Sequence, residues 1–486
     1  MGIWSRKTVD KLCDEAQAEG PQKLKRSLGI VGLTAFGVGC TIGAGIFTLT
    51  GDVAAHHAGP GVTLAFALAS IACFFAGLCY AEFAAMVPIA GSAYSYAYAT
   101  LGELVAWLIG WCLVLEWLFA GSLVAISWSG YVTAALKDMG FVVPAVIASS
   151  PYAVDAQENI IATSGAIDLP AVLVTLGCTA LLLFGTKTST AVNTTIVVAK
   201  VLTLAALIVV GAGYINVQHW HPFIPANEGG FGHFGWTGVA RGAAIIFFAY
   251  IGFDGVSTLA EETKNPQRTV PWALFASLFI CTVLYVGVSL VITGLTDYRS
   301  LDVPDPLYFA LSASHMPLGW LKAVVAIVAI LGLISVVLAS IVGQVRIFYA
   351  MGRDGLLPPA LSRLGKRRHT PYVGTLVTGI IMAAAAGFAP LALLGDLISI
   401  GTLLAFAVVC GGILILRRIA PGARRPFRTP WVPLVPVLGI LSCVALMLSL
   451  SNRTWGRLAF WIALGLAIYA LYGRRHSKLR KELARR

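Results

Sequence analysis

Glycines at Gly37, Gly39, Gly43 and Gly45 interrupt the apolar run FGVGCTIGAGIFTL (36–49), which continues on both sides, from Leu28 toward Val53. The run is long enough to cross a bilayer, and the interruptions predict a helix that breaks at mid-membrane. Backbone groups freed at such a break meet no water in the hydrocarbon, so the break must line a cavity enclosed by protein. The second half-helix, starting near Ala44, would point unpaired amides and the positive end of its dipole inward, while the first half, ending near Cys40, would offer free carbonyls. Amides suit a carboxylate and carbonyls suit an ammonium, so the break can receive a zwitterion without a charged side chain. The same glycines also fit a plainer role, the close packing of helices through small residues.

A chain of 486 residues that is 58% hydrophobic and only 12% charged is not a soluble globule, in which charged residues make up about a quarter. It reads as an all-α, polytopic membrane protein. Windows of about 19 residues find twelve apolar stretches, near 29–53, 60–87, 102–132, 168–186, 190–214, 236–260, 271–295, 318–350, 372–390, 392–416, 431–450 and 455–473. The net charge of +12 has a topological cause and does not call for a nucleic-acid partner. With the N-terminus inside, roughly 27 of the 34 lysines and arginines fall in cytoplasmic segments, which puts both ends in the cytoplasm. Lys200 and Arg241 lie within or at the edge of spans, where an ionisable group is a functional candidate.

The polar first 28 residues have no apolar core of the kind a cleaved signal needs, so the first span is expected to stay. Their basic cluster, Lys23, Lys25 and Arg26, would sit against the anionic inner leaflet. Eight of the nine cysteines fall inside spans and Cys13 in the tail, which argues against disulfides and zinc. The eight histidines are scattered without metal-ligand spacing and read as surface or interfacial groups, His56 and His57 being the weak exception.

After the second span, the aromatic run 91–98 suits an interfacial helix. Glu116 stands in the middle of the third span, about twenty ångströms along the helix from Gly102, and must face the bundle. It serves substrate selectivity or proton handling, or else it is a packing residue. The segment 137–167 reads as a flexible external cap, and 185–190 as a short polar turn.

Lys200 lies roughly 15 Å into the fifth span, farther than a lysine stem can snorkel. A buried ammonium holds a partner or loses its proton. Lys200 is therefore a candidate proton carrier; alternatively, it is a permanent charge bonded to the free carbonyls of the broken helix.

The sixth span repeats the signal of the first. In FFAYIGFDGVS (247–257), Gly252, Asp254 and Gly255 interrupt an apolar run at mid-depth. Paired interruptions five spans apart predict a five-plus-five inverted repeat with the substrate between the breaks. The organisation is then a cytoplasmic tail (1–28), a first five-helix repeat (29–214), a second (236–416), spans 11 and 12 (431–473) and a basic cytoplasmic tail (474–486). In the joint that follows span 6, Asn265-Pro266 makes a turn and Pro271 can open the next helix. After the eighth span, Asp354-Gly355 closes a basic helix end, and Arg363, Lys366, Arg367 and Arg368 hold that loop inside.

The stretches 37–60, 76–111, 247–271 and RIFYAMGRDGLLP (346–358) resemble the amino acid, polyamine and organocation (APC) superfamily of permeases, and within it bacterial members of the cationic amino acid transporter group. The resemblance implies a LeuT-type arrangement of spans 1–5 and 6–10, with two more spans outside. It implies that the amides of Gly43, Ala44 and Gly45 take the substrate carboxylate, and that carbonyls near Cys40 and Thr41 and at Phe248, Ala249 and Ile251 take its ammonium. Ala44 stands where relatives often have a hydroxyl residue, so only backbone bonds carry over there. Lys200 matches a fifth-span lysine that in proton-coupled relatives replaces a sodium ion, and a fixed ammonium would repel sodium. Ser340 matches a small residue that leaves room for a long side chain. Glu116 could then face a cationic head, with Asp254 as a further selectivity or packing group.

The expectation is a secondary active transporter in the cell membrane that carries an L-amino acid, cationic slightly ahead of small neutral, together with a proton. It uses no cofactor beyond that coupling ion. A proton-independent exchanger and a membrane-embedded sensor remain as alternatives, and self-association or a small membrane protein partner stays open. An enzyme is not expected, since no nucleotide loop, metal spacing or nucleophile-base set is present in the sequence. A channel would need a continuous polar lining, which these spans do not offer.

Overall fold

The computed structural model describes residues 4–7, 28–87, 91–154, 159–184, 190–314, 319–363 and 371–485. The basic cluster at 23–26, Cys13, the turn at 185–189 and the basic residues 366–368 lie outside them. Among the described residues, eight helical stretches are long and apolar enough to cross a membrane, and three more apolar helices are 10–17 residues long.

The helices of the core, labelled by order, are α1 (Ile30–Thr41), α2 (Val62–Met86), α3 (Glu103–Asp138), α4 (Leu169–Leu183), α5 (Thr190–Gly211), α6 (Gly235–Ile246), α7 (Pro266–Leu295), α8 (Gly319–Arg353), α9 (Tyr372–Phe388) and α10 (Leu391–Ile419). Two more, α11 (Leu434–Leu448) and α12 (Asn452–Ile468), follow. In the packing, α7 lies along α1 and α2, α6 along α2, and α8 along α3 and α5. Helix α10 packs on α3, α9 on α4, and α5 on α1.

Both interrupted spans break where the sequence predicts. Helix α1 stops at Thr41, the chain bends at Ile42 and Gly43, and helical turns resume over 44–58, including π-turns at Gly45–Leu49 and Ala54–Ala58. Helix α6 tightens into a 3₁₀ turn at Phe247–Tyr250, opens at 251–254 and resumes at Gly255–Thr258. The two breaks press together. A Cβ on Gly45 would stand 2.3 Å from the backbone of Ala249, and one on Gly252, whose φ is +111, would stand 2.9 Å from the carbonyl carbon of Cys40. Only glycine permits either approach.

Three expectations need correction. Pro266, not Pro271, is the first residue of α7; Asn265 adopts the left-handed conformation before it, and Pro271 lies inside the helix. As the sixth residue of the helix it forfeits one intrahelical bond, the one a residue there would donate to the Gln267 carbonyl. The run 91–98 does form a helix, Ser92–Thr100, but all nine of its residues are buried in protein, so its aromatic side chains do not face headgroups. Two of its three tyrosines bury their hydroxyls against carboxylates, Tyr94 donating to Asp354 at 2.6 Å and Tyr98 to Glu103 at 3.0 Å, while Tyr96 stacks on Phe83. The described residues of 137–167 form a short helix at Ala145–Ala148 and an antiparallel pair, β1 (Tyr152–Val154) and β2 (Ile160–Ala162), tied to α9 by Ser150 Oγ donating to the Phe388 carbonyl at 2.8 Å.

Both described ends of the chain seat on one face. Lys7 pairs with Asp354 at 2.7 Å, both buried, and Glu103 accepts hydrogen bonds from Tyr98, Tyr469 and Ser477. Arg346 meets Glu262 at 2.6 Å on the same side.

Candidate functional site

The freed backbone of the two breaks lines one internal cavity. Its walls include Cys40, Thr41, Gly43, Ala44, Gly45, Phe248, Ile251, Gly252 and Ser340, closed by Glu116, Trp117, Val124 and Val336. At about 20 Å³ it has room for a water or so, so an amino acid enters only if the walls part. Of the residues expected at a substrate site, all but Ala249 line this cavity. Ala249 lies just behind it, against Gly45.

Lys200 arrives from α5, fully buried. Its Nζ donates to the carbonyl of Ile42 at 2.9 Å and to that of Gly39 at 3.2 Å, the groups left unpaired where α1 ends. Its stem crosses α8 at Gly332, where a Cβ would stand 2.3 Å from Cε of the lysine. The ammonium therefore touches the backbone of the first break and, among the described residues, no carboxylate.

Sequence reasoning missed Tyr285. From mid-α7 its hydroxyl reaches the carbonyls of Thr41 at 2.7 Å and Ala249 at 3.0 Å, so one side chain spans both breaks. The signal was available, since a tyrosine in the apolar run SLFICTVLYVGVSL must find a partner for its hydroxyl. Its two acceptors are carbonyls that an ammonium would also seek.

Glu116 faces the cavity. One carboxylate oxygen accepts from Thr402 at 2.8 Å, and the other is buried with no partner among the described residues. Asp254 does not reach the wall; it turns back to accept from the Gly252 amide at 3.2 Å and stiffens the second break. Arg241 belongs elsewhere: it is paired with Asp396 of α10 at 3.3 Å, away from the substrate cavity.

Two broken helices facing each other across a closed, largely apolar cavity, inside a bundle of membrane-length helices, define a membrane transporter for a small molecule. Residues 28–468 match the family model described as amino acid permease, and the chain belongs to that family. It is similar to a methylthioribose transporter of Bacillus subtilis, 41% identical over 99% of each chain. The branched-chain amino acid permease BcaP of the same organism is 41% identical, over 98% of this chain and 99% of that protein. A vacuolar cationic amino acid transporter 4 of Arabidopsis thaliana is 39% identical over 86% of this chain and 67% of its own length. These relatives are permeases and transporters, and the protein is not an enzyme.

Proposed function

We propose that this protein is a secondary transporter that carries an L-amino acid together with a proton, by exposing the site between the two breaks to either side of the membrane in turn. The observation that carries the reading is Lys200, an ammonium held on the Ile42 and Gly39 carbonyls beside Cys40, Thr41 and Gly43, which line the site. Loss of its proton weakens the charge-assisted part of both bonds and loosens the first break, which links protonation to the shape of the site.

A repeat of five helices, as an inverted-repeat arrangement requires, is supported by the packing itself. Shifting every helix number by five exchanges the α1–α7 pair with the α6–α2 pair, and the α3–α10 pair with the α8–α5 pair, while α3–α8 and α4–α9 map onto themselves. The cell membrane with both ends in the cytoplasm fits the basic residues concentrated in the two tails.

An aliphatic side chain fits the walls formed by Val124, Val336, Ile251 and Trp117, in keeping with the similarity to a branched-chain permease. A cationic side chain is a second reading, favoured by the unpartnered oxygen of Glu116. Exchange without protons is favoured by the two bonds that fix the ammonium in place.

Uptake of labelled leucine, isoleucine, arginine, lysine and alanine into proteoliposomes with an imposed inward proton gradient separates these readings. Symport predicts gradient-driven accumulation, strongest for the aliphatic pair. Uptake that needs trapped substrate and ignores the gradient would leave exchange, and a preference for arginine and lysine that vanishes in Glu116→Gln would assign the cationic side chain.

A further inference from the structure

On the face opposite the chain ends, Asp52 and His56 stand one helical turn apart at the outer end of the first span, and Asp302 reaches them from the loop between α7 and α8. Nδ1 of His56 is 3.3 Å from Asp52 Oδ1, and its Nε2 is 3.4 Å from Asp302 Oδ2. One ligand atom from each of the three residues can be chosen so that all lie within 4.8 Å of one another. Asp52 and His56 also line a cavity of about 230 Å³ that carries Arg241, Asp396 and Arg457 on its other walls.

We propose that Asp52, His56 and Asp302 form a binding site for a divalent transition-metal ion of the zinc class, and that the bound ion staples the 297–305 loop to the outer end of the first span. One imidazole and two carboxylates are the donor set that suits such an ion, which leaves a fourth position for water. Tetrahedral ligands stand about 3.4 Å apart at metal–ligand distances near 2.1 Å, so with one ring nitrogen of His56 on the ion the carboxylates close in from separations of up to 4.8 Å, a movement that part-exposed side chains can make. The residues are part-exposed, with side-chain exposures of 27%, 47% and 60%, so an ion reaches them from solution without opening the bundle.

The ligands come from two parts of the chain about 250 residues apart, and the site exists only while the loop rests on the first span. The Thr48 hydroxyl already donates to the Pro304 carbonyl at 3.1 Å, so the metal would add to an existing seat of the loop. A ligand that binds one conformation and not the other shifts the population toward the first. Metal on this face therefore holds the outer entrance shut and slows transport. Only this last step rests on the proposed transport function; metal binding does not.

The test uses the full-length protein, purified through a tag that contains no histidine and placed in lipid nanodiscs. Titration calorimetry with zinc chloride is expected to show one saturable site per chain, lost in His56→Ala and in Asp302→Asn and restored in Asp302→His, which keeps a ligand atom at that place. In proteoliposomes the same zinc concentration is expected to slow wild-type uptake several-fold and to leave the two ligand-deleted variants unaffected, with chelator restoring the wild type. Absent binding, or equal binding in wild type and both deletion variants, overturns the site. Site-specific binding without slowed uptake, in protein that does transport, overturns the staple.

Discussion

The two broken helices have similar geometry and different chemistry. In the first, the carbonyls of Gly39 and Ile42 are held by an ammonium that comes from another helix, α5. In the second, the freed Gly252 amide is held by Asp254, two residues further along the same segment. The first break is thus held by an ammonium on a distant side chain, while the second is held by a carboxylate of its own segment and by the Tyr285 hydroxyl on the Ala249 carbonyl. Tyr285 joins them, its one hydroxyl bonded to a carbonyl of each break. In our account, coupling is a property of the first break and rigidity a property of the second.

The most severe way to break this contrast is Lys200→Ala. It removes two hydrogen bonds to a charged donor, each worth roughly 1.5 kcal/mol, and gradient-driven accumulation is expected to fall about a hundredfold. Next comes Gly332→Ala, which places a methyl 2.3 Å from the lysine stem and displaces the ammonium without removing it. Uptake at saturating substrate should drop about tenfold, through strain of roughly 1–2 kcal/mol. Unchanged uptake there would mean that the position of Lys200 does not matter.

Tyr285→Phe removes the bridge and leaves two buried carbonyls without their donor, at a cost of roughly 1–3 kcal/mol. The variant should melt earlier than wild type in a thermal-shift assay. Substrate should raise its melting temperature by more than it does in wild type, because the substrate ammonium then supplies the missing donor. The smallest effect belongs to Asp254→Asn, whose side-chain oxygen still accepts from Gly252. Uptake should change by no more than about threefold, a loss near 0.6 kcal/mol; a drop as deep as that of Lys200→Ala would erase the contrast between the breaks.

Much of this was legible in the sequence because membranes punish unpaired backbone. Glycines inside an apolar run announce a break, and a second break five spans later announces its counterpart. Lys200 could be placed by the same reasoning, since a lysine so deep needs an acceptor and the break supplies carbonyls. What could not be read were contacts between residues distant in the chain. The choice of Tyr285 as the bridge depends on how α7 lies across both breaks. The burial of Tyr94 and Tyr98 depends on Asp354 and Glu103 arriving to receive their hydroxyls. The meeting of His56 with Asp302 depends on a loop that sequence spacing cannot position.

The most direct test of the account is proton movement itself. Proteoliposomes loaded with a pH-sensitive dye, with no imposed gradient, should acidify inside when a transported amino acid is added outside. Lys200→Ala should bind the same substrate without acidifying the lumen. Uptake of substrate by the wild type at constant internal pH would contradict the central claim and assign Lys200 to holding the first break alone.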